Sequence, residues 1–565
     1  MPDLILYNGK IHTQDPRFPH ATAVAVRGDC ILAVGSDSEV RSLAGSHSRQ
    51  IDLGRRRVLP GLTDSHFHFY DWALNRKRLE LASATSLTDI RAQVRMTAGN
   101  TPSGGWILGQ GWNETRWPDP RLLTRADLDE LTPAHPALLW RSDMHLAVAN
   151  SLALQAAHIS AETPDPPQGV IDRDANGQPT GVLRELAINL VREVIPPPTE
   201  DETLTAMRDG FAVLHRLGLT GVHDYRIMGG QDGPPAFRAY QRLRSTFELD
   251  LRLWMLLPGE RLSQAIETGL RTGFGDDTLR VGHVKFFSDG SQGARTAWML
   301  DEYEDTPSCG MPLTPMDEIA DAVRRAHQAG LAVAIHAIGD RAVRELLTVF
   351  EQVLGDERRA GVASNAAPGA PHRIEHLQNI RPEDMLRLGR LGVVASVQPI
   401  HLPDDFPMIE RSVGGRGRWT FPFRDLLAAG VTLTFGSDCP VADPNPLWGI
   451  HAAVTRQMQD GTPTGGWYPD QRLSVAEAVW GYTMGPAMVS GRERDLGSLT
   501  PGKLADLVVL DDDIFAIEPL EIARVQVNMT ILGGRVVYPE MSSAAHVSAP
   551  YSITAQHLRD PRESL

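Results

Sequence analysis

Six side chains spread between positions 66 and 438 have the types needed to hold a divalent metal ion. They are His66 and His68 in Gly-Leu-Thr-Asp-Ser-His-Phe-His, Lys285 in Val-Lys-Phe-Phe-Ser-Asp-Gly, His336 in Ala-Ile-His-Ala-Ile-Gly-Asp, His376 in Arg-Ile-Glu-His-Leu-Gln and Asp438 in Phe-Gly-Ser-Asp-Cys-Pro. Each closes a short apolar run of the kind that forms a buried strand. A parallel barrel gathers its strand ends, and its active site, at one face. Imidazoles, a carboxylate and a lysine meeting there could hold zinc or a similar ion and activate water.

The six differ in how much each says alone. His66 and His68 flank Phe67, so a strand puts both on one face. The chain has 19 histidines, so a His-x-His pair is weak evidence until its position after an apolar run is counted. An unmodified Lys285 ammonium would repel a cation; it would have to react with carbon dioxide to give an anionic carbamate. Burial beside a metal lowers a lysine pKa and aids that reaction. The competing reading pairs Lys285 with Asp289. Taken singly, His336 and His376 read as ordinary core or surface histidines. His372 competes with His376, but only His376 falls where its strand should stop. His283 faces the same way as Lys285, one layer lower, and reads as barrel interior. Asp438 could bind an ion and shuttle a proton from attacking water to the leaving group; its alternative is a helix cap. Cys439 reads as a small apolar filler rather than a nucleophile.

The elements that must position these residues read as α/β. Eight strand candidates begin with Val58-Leu59 leading to His66. They continue through Leu219–His223, Leu251–Leu256, Val281–Lys285, Leu331–His336, His372–His376, Val393–Val397 and Val431–Phe435. Helical stretches such as Met316–Gln328 and Ala342–Leu354 intervene. The gap between the first two strands is too long for one βα unit, so residues 70–205 form an insertion at the catalytic end, placed to cover the site. Its Trp residues suggest an aromatic pocket wall, and Pro196-Pro197-Pro198 reads as the return linker. Both termini are strand-rich. Leu4–Tyr7 and Lys10–Thr13 flank Asn8-Gly9, a hairpin signal; a second hairpin spans Ala23–Val34. The expected architecture is a distorted (β/α)8 TIM barrel (58–69 and 206–494) with an inserted α/β domain (70–205), a small β-sandwich built from both termini (1–57 and 495–540) and a C-terminal tail (541–565).

Bulk properties narrow the class. With 42% hydrophobic and 22% charged residues, the composition is that of a globular protein. No run approaches the roughly 20 apolar residues of a membrane span, and the first residues lack the pattern of a secretory signal. A net charge of −15 argues against nucleic-acid or anionic-lipid partners. Three scattered cysteines offer no disulfide framework, so a reducing cytoplasm is the default expectation.

In this order, the motifs resemble the amidohydrolase superfamily, and within it the amidohydrolase family 3 branch that includes N-substituted formamide deformylases. The likeness covers nearly the whole chain. It includes Leu59–His68, the insert signature Gly111-Trp112-Asn113-Glu114, Lys285–Ala297, Ile335–Asp340, Ile374–His376, Gly436-Ser437-Asp438 and Gly497–Asp506. The resemblance implies one or two divalent ions per chain, usually zinc. His66, His68 and Asp438 would bind the more buried ion, His336 and His376 the outer one, and an N6-carboxylated Lys285 would bridge them. Asn113 stands where many relatives carry Asp.

Substrate contacts are expected from Trp112, Asn113, His145 and Arg295. For Arg295 a salt bridge with an acid such as Asp289 is the competing role; for His145 it is a place on the surface. The expected activity is hydrolysis of a non-peptide C–N bond in a small-molecule amide or N-acyl compound, with Asp438 as general acid and base. A deaminase or cyclic-imide hydrolase could use the same centre, and a non-catalytic scaffold is the reading of another class. A homodimer is compatible with all three.

Overall fold

Eight parallel strands run in sequence order around a barrel: β1 (Leu62–Phe67), β2 (Leu219–Asp224), β3 (Arg252–Pro258), β4 (Leu279–Phe287), β5 (Val333–Ala337), β6 (Arg373–His376), β7 (Val394–Val397) and β8 (Leu433–Phe435). The computed structural model describes residues 1–539 apart from 77, 143, 168 and 361–368; the expected tail lies outside the described residues. Seven ladders join neighbouring strands, with Asp224 opposite Phe67 and Phe287 opposite His336. The eighth junction is made just past β8. There Asp438 N donates to His66 O at 2.7 Å and His68 N to Cys439 O at 2.9 Å. The barrel therefore closes beside His66, His68 and Asp438, three of the six candidate donors.

The strands are buried on both faces because helices cover them outside and side chains fill them inside. The helix Met316–Gln328 shows why such segments pack as they do. Ile319, Val323, Ala326 and His327 are its buried residues, three or four positions apart on one stripe. The stretch expected at Ala342–Leu354 is part of a longer helix, Asp340–Ala360. The helix Glu200–Arg216 crosses the expected boundary at residue 206. Thr199 and Glu202 form its capping box, and Met207, Phe211 and Leu214 face inward. Phe211 stacks on Phe69, 5.1 Å between centroids, on the segment that follows His68.

The first strand differs from expectation. Val58 and Leu59 belong to Arg57–Pro60, which pairs with Leu507–Leu510 and Lys10–His12 in the small β domain. The barrel strand starts only after Gly61, where a Cβ would lie 2.4 Å from Thr220 Oγ1 and 2.9 Å from the Asp506 side chain. The Asn8-Gly9 hairpin is also corrected. Leu4–Tyr7 pairs with Ala23–Arg27 and Arg49–Asp52 in a four-stranded sheet, whereas Lys10–His12 enters the six-stranded one. A two-residue type I′ turn needs positive φ at both central residues; Asn8 has it (56°) and Gly9 does not. The chain instead steps from one layer of the sandwich to the other. The second hairpin forms as expected, with Gly28 at φ 61°. C-terminal strands complete the six-stranded sheet, so both chain ends build this domain.

The insert holds a six-stranded mixed sheet, in the order Gly169–Arg173, Pro179–Glu185, Leu146–Ala149, Ala137–Arg141, Ile107–Trp112, Leu79–Glu80. Its central strand alternates: Leu139 faces a core with Trp112 and Val148, while Leu138 and Trp140 face another with Leu183 and Val191. No helix among the described residues is long and apolar enough to cross a membrane.

Candidate metal centre

All six sequence-nominated donors line one cavity of about 420 Å³ at the C-terminal ends of the barrel strands. Asp438 Oδ1 lies 3.2 Å from His66 Nε2 and 3.3 Å from His68 Nε2. Potential ligand atoms of these three residues all fall within 4.8 Å of one another. The His376 ring centroid is 4.8 Å from that of His66 and 4.5 Å from that of His336. Lys285 Nζ sits over the Tyr225 ring at 4.9 Å.

Three of the four histidines have one nitrogen fixed by the protein, while the buried Nδ1 of His68 has no hydrogen-bond partner among the described residues. His66 Nδ1 donates to Glu375 at 2.8 Å, and its buried Nε2 has no hydrogen-bond partner among the described residues. His376 Nδ1 donates to Gln398 Oε1 at 2.9 Å, and His336 Nε2 to Gly290 O at 3.1 Å. Partners of this kind set tautomer and ring orientation in metal sites. With the fixed nitrogen protonated, the other nitrogen of a neutral ring carries a lone pair.

Electrostatics point the same way. Burial lowers the pKa of His66 to about 4 against the attraction of Asp438, and burial together with Lys285 lowers that of His336 to about 3. His376 is likewise pushed well down by burial. Lys285 is brought down to about 8 by burial, opposed by Glu375 and Asp438. Burial works against the Asp438 carboxylate, yet the surrounding histidines hold its pKa well below the ordinary value. Neutral imidazoles, an anionic carboxylate and a weakly basic lysine are the protonation states a divalent cation requires of its ligands. The residues present therefore fit a metal.

Local backbone explains how so many groups reach one point. On β6, Glu375 and His376 should face opposite sides of the strand. His376 has φ 69°, which ends the alternation. Asp438 has φ 59°, and its amide bonds His66 O. Left-handed backbone at non-glycine residues is uncommon and clusters at functional sites.

Several contributors escaped the sequence reading. Glu375 lies between His66 and the buried Arg373, whose Nε donates to it at 2.6 Å. Its carboxylate is held below the usual range despite burial, through Arg373 and His66. Tyr225 stacks on His66 with centroids 3.7 Å apart. Asp64 accepts from His66 N at 3.0 Å and Ser437 N at 3.1 Å, tying the first strand to the last; burial raises its pKa to about 7. Glu375 stands inside the quoted Arg-Ile-Glu-His motif, so its type and place were visible but its facing was not.

The expected substrate contacts divide. His145 lines the cavity, its Nδ1 2.8 Å from Glu185. Trp112 does not: it is fully buried in the insert and donates Nε1–H to Leu139 O at 3.1 Å. Asn113 accepts from Thr115 N at 3.1 Å and lines a neighbouring depression. Arg295 turns away to Asp305, Nε to Oδ1 2.9 Å. Its suggested partner Asp289 is occupied elsewhere, accepting backbone N–H bonds from Trp298, Ile338 and Gly339. Of the insert tryptophans, Trp140 reaches the cavity wall. Cys439 is buried, and burial raises its thiol pKa well above the usual value, as a packing residue requires. His283 is buried with its ring on Trp254 and Pro371, below Lys285, and His372 bonds His327 at the other end of β6.

Known proteins resemble this chain along nearly its whole length. The amidohydrolase family model matches residues 49–538. "Protein LONG AFTER FAR-RED 3" from Arabidopsis thaliana is 33% identical, covering 95% of this chain and 92% of the relative. An N-substituted formamide deformylase from Arthrobacter pascens is 29% identical, covering 96% and 99%. Among solved structures, an uncharacterised metal-dependent hydrolase from Pyrococcus horikoshii superposes with a TM-score of 0.75 at 28% identity, covering 91% of this chain and 99% of its own.

Proposed function

This chain belongs to the amidohydrolase family, and from that footing we propose that it hydrolyses an amide or N-acyl bond of a small molecule, with Asp438 as general acid and base. The observation that carries the reading is the convergence of His66, His68 and Asp438 within 4.8 Å, with Lys285, His336 and His376 on the same cavity wall. His66 and His68 with Asp438 would hold one ion, His336 and His376 a second, and Lys285 as a carbamate would join them. Zinc suits this set of imidazole and carboxylate donors. A cation held there supplies Lewis acidity toward a carbonyl oxygen and lowers the pKa of a water molecule.

The chain's own groups do the rest. Glu375 keeps the proton on His66 Nδ1, so Nε2 presents its lone pair. Asp438 takes the proton as the new C–O bond forms and returns it to the departing nitrogen, giving a carboxylic acid and an amine. The insert contributes Trp140, Met144 and Ile188 to the cavity lining, apolar surface that disfavours bulk water beside the reacting groups. The deformylase relative named above supports an N-acyl substrate.

Asp438→Asn is the direct test. Turnover of N-formyl and N-acetyl substrates should fall about 10²–10⁴-fold, while bound metal, read by elemental analysis, stays above half. Wild-type rates in this variant would remove Asp438 from the proton path. Release of ammonia without a new carboxylate would replace amide hydrolysis with deamination.

A further inference from the structure

The wall where the insert meets the barrel carries Arg78 and Arg192 together with two carboxylates, Asp71 and Glu185. Glu185 is held by His145 Nδ1 at 2.8 Å, and Asp71 lies on the helix Phe69–Asn75 that follows His68. Both of its oxygens are taken: Oδ1 by Arg192 Nη2 at 3.2 Å and Oδ2 by Asn75 Nδ2 at 2.6 Å. Arg78 lies beside this pair and lines the same cavity. Its guanidinium carbon sits 4.4 Å from the centroid of Trp140, and its side chain makes no hydrogen bond or ion pair among the described residues. Burial disfavours its charge, Asp71 restores part of it, and Arg192 disfavours it again. A ring face orients a guanidinium but is a modest substitute for an anion.

An unpaired guanidinium is costly on a cavity wall unless something brings the missing charge. Resting on the amide-hydrolase reading above, we propose that Arg78 receives a carboxylate of the substrate, so that the substrate class is N-acyl amino acids. The donors at the edge of a guanidinium form a planar fork that matches a carboxylate. Ile188, Leu186 and Met144 supply apolar surface for a side chain. Asp404 and Asp405 occupy another part of the lining and disfavour an anion there, which leaves the Arg78 wall for the carboxylate and the metal centre for the acyl carbonyl.

The test compares N-acetyl-leucine with the neutral N-acetylleucinamide. Binding to the metal-loaded Asp438→Asn variant is measured by calorimetry, with and without Arg78→Met and Arg78→Lys. The acid should bind about 10–100-fold more tightly than the amide, and Arg78→Met should collapse that ratio toward one through the acid, with Arg78→Lys restoring part of it. In the hydrolysing enzyme the same loss should appear mainly in KM of the acid. Equal binding of acid and amide to the parent, or a preference that survives Arg78→Met, overturns the assignment. Binding and turnover separate the two readings: a selective site in an enzyme that cleaves no N-acyl bond would sink the hydrolase reading and leave the Arg78 assignment standing.

Discussion

At the residue scale, the candidate centre includes groups that hold the nominated ligands as well as those ligands themselves. Glu375 holds His66 from one side and Arg373 from the other, all three buried. Glu375→Gln removes the charge that favours the proton on Nδ1. Metal affinity should fall about 10–100-fold, read by competition with a chromophoric chelator; unchanged affinity would make Glu375 a packing residue. Lys285 gives a second prediction. With a pKa of about 8, a fraction of its amine is neutral at neutral pH and open to carbon dioxide. Protein loaded with metal in 13C-bicarbonate should show a carbamate carbon signal, absent from Lys285→Ala. A wild-type spectrum without that signal would leave the lysine unmodified.

At the element scale, the ends of β1 and β8 share one crowded junction. A Cβ at Gly436 would stand 2.4 Å from His66 N and 2.7 Å from Asp64 Oδ1. Backbone cannot yield as a flexible side chain does. Gly436→Ala should cost about 1–3 kcal/mol of stability and weaken metal binding together, measured by urea unfolding and chelator competition. Strand starts and turns were the elements least legible beforehand. Val58-Leu59 carries the same apolar signal in either sheet, and only the tight approach at Gly61 separates them. Asn8-Gly9 has the composition of a hairpin, but composition does not specify φ at Gly9.

At the scale of the whole molecule, buried ion pairs join the small β domain to the barrel and to itself. Arg252 on β3 reaches Asp506, with Nη2 to Oδ1 at 2.8 Å. Arg252→Ala leaves a buried carboxylate without its cation and should cost about 3–5 kcal/mol, seen as a lower urea midpoint. Arg57 forms two 2.7 Å bonds to Asp513, which also accepts from Lys10. Burial opposes the Asp513 carboxylate, but Arg57 and Lys10 outweigh it and its pKa lies below the ordinary value. A depressed folded pKa means that its stabilisation is complete above the unfolded value, about 3.9, and is lost as pH falls through the folded one. The stability gap between wild type and Asp513→Ala should therefore be constant near neutrality and shrink below about pH 4.

The sequence by itself determined the class of fold and the eight-strand count, and it picked out six residues that line one cavity. Those follow from residue type and periodicity, which are local properties. Only the tertiary structure decided which way side chains face where periodicity stops. It turned Glu375 and His376 to one centre, sent Arg295 to Asp305, buried Trp112 in the insert and set Arg78 on the cavity wall with no ion pair among the described residues. Such outcomes depend on left-handed residues and on partners that periodicity does not pair, from 10 positions away for Arg295 and Asp305 to 309 for His66 and Glu375.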